Sequence, residues 1–126
     1  MVRERSRVRI PVLAHNMTKN VKLVTFVPES HANNIRKALG DIGVGKIGNY
    51  THCSFSVKGV GRFFSNEGTS PYNGEVGKHS DVEEERIEMV CSLDLLKKAT
   101  GLIREIHPYE EVAIDIHPIL SEDDID

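Results

Sequence analysis

The chain has 126 residues, a formal net charge of -3 and 39% hydrophobic residues, enough for one domain with its own apolar core and no need of metal or disulfide staples. Charge this mild argues neither for nucleic acid nor for an anionic membrane as a partner, and nucleic acid and membrane are not expected. The apolar run Ile10-Pro11-Val12-Leu13-Ala14 is too short for a signal peptide and no stretch approaches the ~20 apolar residues of a membrane span, so the chain is read as cytoplasmic and Cys53 and Cys91 as reduced thiols.

Residues 1–20 place Arg3, Arg5, Arg7 and Arg9 ahead of Pro11 with no helical period, which reads as a flexible basic arm whose arginines are solvated rather than bound to phosphate. Met17 is an alternative start. The run from Val21 to Val27 is rich in β-branched and aromatic residues and stops at Pro28, which predicts a first, central strand. Ser30 then offers an N-cap oxygen with Glu29 at the positive end of the helix dipole, and Ala32, Ile35, Leu39 and Ile42 recur at helical spacing up to Gly43.

The segment from Val44 to Ser65 alternates, with Thr51, Cys53, Phe55 and Val57 on an inward face and His52, Ser54 and Ser56 on the other, so a second strand is expected there, bent or bulged at Gly59 and Gly61. A long loop with Gly68, Pro71, Gly74 and Gly77 follows, a length that often marks function. Its glycines precede a strand instead of joining strand to helix, which is turn chemistry and not a phosphate cradle. His79 and Glu83-Glu84-Glu85 read as solvated loop residues.

A third strand is predicted over Arg86 to Cys91, with Ile87, Met89 and Cys91 inward. Ser92 is placed to cap a second helix whose stripe is Leu95, Leu96, Ala99, Leu102, Ile103 and Ile106. Pro108 lacks an N–H and crowds the residue before it, so that helix stops there. Val112, Ile114 and Ile116 then alternate with Ala113, Asp115 and His117 in a final strand, and residues 120–126, with Glu122, Asp123, Asp124 and Asp126, form an acidic tail.

The order βαββαβ predicts an α+β ferredoxin-like sandwich over residues 21–119, with an antiparallel sheet in the order four, one, three, two and two helices on one face. The open face is expected to carry His52, Ser54, Ser56, Ala113, Asp115 and His117. The same topology gathers His31, His107, Tyr109, Glu110 and the long loop at one edge. His107 and Glu110 can ligate a divalent cation, with His31 or His52 joining them, though a closed site wants three or four convergent ligands. The same residues also suit a helix end and a turn, His107 capping carbonyls and Glu110 and Glu111 bonding backbone. Tyr109 suits stacking on a ligand or packing in a core. No base is placed beside a nucleophile, so no catalytic residue is named.

Asn49-Tyr50-Thr51-His52-Cys53-Ser54-Phe55-Ser56, the bend Gly59-Val60-Gly61-Arg62-Phe63, Glu67-Gly68, Pro71, Gly74-Glu75-Val76-Gly77-Lys78 and His107-Pro108-Tyr109-Glu110-Glu111-Val112-Ala113 together resemble the inserted domain of the Nif-three-like (YqfO) family. The His-Pro-Tyr-Glu piece also resembles the CutA cation-tolerance proteins, which share the ferredoxin-like fold with the PII signalling proteins. In the Nif-three-like family the flanking domains are the ones similar to metal-dependent hydrolases, and some members are GTP cyclohydrolase homologues. The resemblance therefore implies a stand-alone relative of the insert without that catalysis. It further implies a homotrimer packed through its sheets, with effectors bound at a subunit cleft.

The resulting expectation is a non-catalytic module that binds a small molecule or a protein partner, with His31, Arg62, His107, Tyr109 and Glu110 as ligand-binding candidates. The alternative is a divalent-cation protein with His107, Glu110 and His52 as ligands, or a metal-dependent hydrolase acting on a nucleotide.

Overall fold

The computed structural model describes residues 19–125; most of the expected basic arm and Asp126 lie outside them. Val21, Leu23, Thr25 and Val27 alternate along β1 (Asn20–Pro28) and are buried beneath two helices, which is what a β-branched run at the centre of a sheet should do. The chain continues through α1 (Glu29–Asp41), β2 (Phe55–Phe64), β3 (His79–Ser92), α2 (Leu96–Ile106) and β4 (Ile114–Ile119). The sheet order is β2-β3-β1-β4, antiparallel throughout. This is the ferredoxin-like βαββαβ fold. Ala32, Ile35 and Leu39 of α1 and Ala99 and Ile103 of α2 share one apolar cluster with Val21, Leu23, Ile87, Met89 and Cys91, so both helices cover the same face of the sheet. No described helix is long and apolar enough to cross a membrane.

Several elements differ from their sequence-based bounds. Helix α1 starts at Glu29 with Pro28 before it, and Ser30 turns its hydroxyl to His31 Nδ1 at 2.8 Å instead of capping. Ser92 leads into a short 3-10 turn, Leu93–Leu95, and makes no capping bond either. The third strand begins seven residues early, so His79 and Glu83 to Glu85 belong to it: an acidic run on a long strand tolerates pairing when its side chains alternate between solvent and partners.

Strand β2 begins at Phe55, not at Val44. Gly43, Gly45, Gly48 and His52 all have positive φ, a conformation no strand residue adopts, and they fold residues 42–54 into turns. From Phe55 opposite Glu88 to Phe64 opposite His79 the ladder is unbroken, so Gly59 and Gly61 form no bulge. The inward and outward faces are also reversed. Ser56 pairs with the buried Ile87, and directly opposed residues share a face, so Ser56 lies on the helix side. Arg36 of α1 reaches it at 3.0 Å and binds Glu85 at 2.6 Å. Phe55 and Val57, 64% and 49% exposed, lie on the open face with Asp115 and His117, while His52 and Ser54 precede the strand.

A candidate ligand groove at the sheet edge

Helix α2 closes as the backbone N–H of His107 donates to Ile103 O at 2.8 Å, and Pro108 turns the chain away. This aims the His107 ring back under the sheet, where it is 5% exposed. Its Nε2–H donates to Phe26 O at 2.7 Å, and its Nδ1 accepts the Tyr109 N–H at 3.1 Å. That pair of bonds selects the neutral ring with the proton on Nε2. Burial lowers the His107 pKa, against the opposing pull of the Phe26 carbonyl and the Glu84 charge. Protonation would also bring an N–H on Nδ1 up against the N–H of Tyr109.

The His107 turn places Tyr109 over the open face of β2 and β3. Its hydroxyl donates to Glu84 Oε2 at 2.7 Å, and burial, then that carboxylate, push its pKa up to about 12. Ring centroids of His107, Tyr72 and Phe63 lie 4.8, 6.2 and 6.4 Å from that of Tyr109, and His31 meets Tyr72 edge-on at 5.8 Å. The β2–β3 loop is closed at its neck by Ser65 N–H to Lys78 O and Gly77 N–H to Ser65 O, and Ser70 N–H donates to Glu110 Oε1 at 2.8 Å, which fastens the loop to the turn. Between loop, turn and sheet runs a groove of about 660 Å³, walled by Phe26, Val57, Phe63, Tyr72 and Tyr109, with Glu84, Arg86, Glu110 and Glu111 at its polar positions.

No protein-family model matches the chain. A Halalkalibacterium halodurans protein named GTP cyclohydrolase 1 type 2 homolog is 43% identical over 114 residues, covering 90% of this chain and 31% of that protein. The crystal structure of a Bacillus cereus protein related to NIF3 matches with a TM-score of 0.72 and 44% identity over 82% of this chain and 26% of that one. The chain carries a domain of the NIF3-related family. It spans 31% of the length of the H. halodurans relative. The divalent ion tolerance protein CutA1 of Ehrlichia chaffeensis has the same fold, with a TM-score of 0.57 and 27% identity over 85% of this chain and 88% of that one.

In this NIF3-related domain His31, His107, Tyr109 and Glu110 do meet at one edge, linked through Tyr72 and the loop. Arg62 does not join them: it is exposed on the helix-side face of β2, 3.7 Å from Asp81. His52 sits at the far end of α1, where its Nε2 lies 2.9 Å from Asp41 Oδ1, and the His52 and Lys37 hydrogen bonds hold the Asp41 carboxyl below its usual pKa. His107, Glu110 and His52 therefore do not converge, and both ring nitrogens of His107 are engaged. Among the described residues no group of three or more His, Cys, Asp or Glu is placed to hold a metal. Of the cysteines, Cys91 is buried and its thiol pKa is raised by that burial, whereas Cys53 is partly exposed because it precedes the strand.

Phe26, Phe63, Tyr72 and Glu84 were not legible as site residues. Glu84 stands opposite Gly59, and a Cβ on Gly61 would collide with its carboxylate. Gly61 leaves room for Glu84 to lie across the strand and reach Tyr109. The signal was there in a pair of glycines at i and i+2 within a strand, which marks close approach by a neighbour as well as a bulge. Tyr72, an aromatic between Pro71 and Gly74 in an otherwise polar loop, was a weaker one.

Proposed function

We propose that this domain is a non-catalytic binding module, acting in the cytoplasm, that holds a small ligand in the groove between the open sheet face, the loop of residues 65–78 and the turn of residues 107–111. The observation that carries the reading is the groove itself: a volume of about 660 Å³ with five apolar or aromatic walls and a few converging polar groups is what small-molecule sites require. A thermal-shift screen of nucleotides, small acids, amines and divalent cations against wild type and a Tyr109→Ala, Glu110→Ala double variant tests it. A compound that binds the folded state raises the wild-type melting temperature and has a smaller effect on the variant. If no compound shifts the wild type, or every shift survives in the variant, the groove is structural.

We also propose that three copies assemble through their open sheet faces, as the likeness to CutA proteins implies. Phe55 and Val57, 64% and 49% exposed on that face, would then be covered and the groove would become a cleft between subunits. Sedimentation equilibrium at micromolar concentration should give three times the chain mass, and Phe55→Glu with Val57→Glu should shift it to one; a wild-type monomer would end the idea.

The second reading is a divalent cation, favoured by the printed name of the E. chaffeensis neighbour alone, since no three ligands converge among the described residues. The divalent cations in the same screen test it. The nucleotide chemistry in the name of the H. halodurans relative stays a proposal for the longer protein.

A further inference from the structure

We infer that the groove takes an organic cation, an amine or quaternary ammonium group carried on a small apolar or ring body. This deepens the small-ligand reading above and rests on it.

Charge decides the class. Glu84, Glu110 and Glu111 line the groove, and the two positive residues that line it, Arg86 and Lys58, each pair with a carboxylate that does not. Arg86 pairs with Glu88 at 3.2 Å, and Lys58 reaches Glu29 at 3.5 Å on the helix side of the sheet. Glu111 has no ion pair among the described residues, and Glu84 uses only Oε2 on Tyr109, leaving Oε1 without a donor there. The uncompensated charge of the groove is therefore negative, and a phosphate or carboxylate entering it would face three carboxylates.

The walls point the same way. Tyr72, Tyr109 and Phe63 are inclined to one another, by 49° and 60° across the two contacts of Tyr109, rather than stacked in parallel. Rings so tilted around a shared space offer π faces to a compact ligand, and a cation is what those faces attract. The groove already contains one such contact, since the Arg86 guanidinium carbon lies 5.5 Å from the centroid of Phe26. A carboxylate near an aromatic wall separates an ammonium ligand from a neutral one of equal shape, because only the former gains from both.

The test uses choline, its neutral isostere 3,3-dimethyl-1-butanol, and AMP as an anion, each titrated into the full chain by NMR. Choline should bind at least roughly tenfold more tightly than the isostere, weaken several-fold in Glu84→Gln, which keeps an acceptor for Tyr109, and fail in Tyr109→Ala. Equal affinity for choline and the isostere, or tighter binding of AMP, overturns the cation inference and leaves the small-ligand reading standing. No binding of any of the three, together with dissociation of an assembly in Tyr109→Ala, makes the groove a contact between copies of the chain and overturns both.

Discussion

Replacing His107 with alanine should lower the melting temperature by roughly 10–20 °C, the consequence of about 3 kcal/mol lost at one residue. The ring is 5% exposed and joins two separate pieces of backbone, Phe26 O and Tyr109 N. Alanine strands both groups away from water and leaves a cavity beneath Tyr109, and an unmade buried hydrogen bond costs about 1–3 kcal/mol. Glutamine, whose amide can donate to Phe26 O but not also accept from the next turn, should recover about half of the loss. Thermal denaturation by circular dichroism at neutral pH measures both. If the alanine variant melts within about 3 °C of wild type, the two bonds are not formed in solution.

The same ring sets a pH dependence with a definite sign. Burial lowers its folded-state pKa below the ordinary 6.5, so in the window below that value the unfolded chain binds more protons than the folded one. Stability is then complete above about 6.5 and falls as the pH drops from there through the lowered folded value. His107→Gln should be less stable at pH 7 and show a flatter profile between 5 and 7. Asp41, whose pKa is also lowered from the ordinary 3.8 by its bonds to His52 and Lys37, acts in the carboxylate range and leaves this window untouched.

The fold was legible because its signals are local and redundant. Ile35 and Leu39 at helical spacing, Ala99 and Ile103 likewise, and the alternation of β1 each name a buried face from a dozen residues, and every one of those residues is buried. Pro108 marks the end of α2 for a reason contained in its own ring. The meeting of His31, His107, Tyr109 and Glu110 followed from topology alone. What failed was the part that depends on partners. Period-2 alternation says which residues of β2 share a face, not which face is covered, and at an edge strand the helix side is polar because Arg36, itself paired with Glu85, donates to Ser56 there. Glu84 looked solvated within an acidic run because nothing in that run says that Gly59 stands opposite it and that Gly61, on the same face, leaves space for its carboxylate. Residues 44 to 54 looked like strand because their side chains alternate, while Gly45, Gly48 and His52 held the conformations that forbid it.

Gly45 tests that last point with the largest expected effect in the chain. It is buried at φ +82, its N–H donates to Val90 O at 2.7 Å, and its carbonyl accepts the Cys53 N–H at 2.8 Å, so one residue ties the turns of residues 42–54 to the end of β3. A Cβ there would sit 2.9 Å from Cys53 N and 2.8 Å from Met89 Cε, and against Cys53 O as well. Backbone atoms cannot rotate out of the way, so Gly45→Ala combines a left-handed alanine, about 1 kcal/mol, with an overlap that must displace the loop or break both hydrogen bonds. Together these predict a loss of about 4 kcal/mol, at the upper end for single substitutions. Gly48 supplies the control: its φ is +58 but nothing lies within 4 Å of the added Cβ, so Gly48→Ala should cost only the backbone part, about 1 kcal/mol. Urea denaturation of the two variants isolates the steric share, and losses that agree within about 1 kcal/mol would mean that the loop yields freely. None of residues 42–54 lines the groove, so Gly45→Ala, kept well below its lowered midpoint, should bind choline as the wild type does.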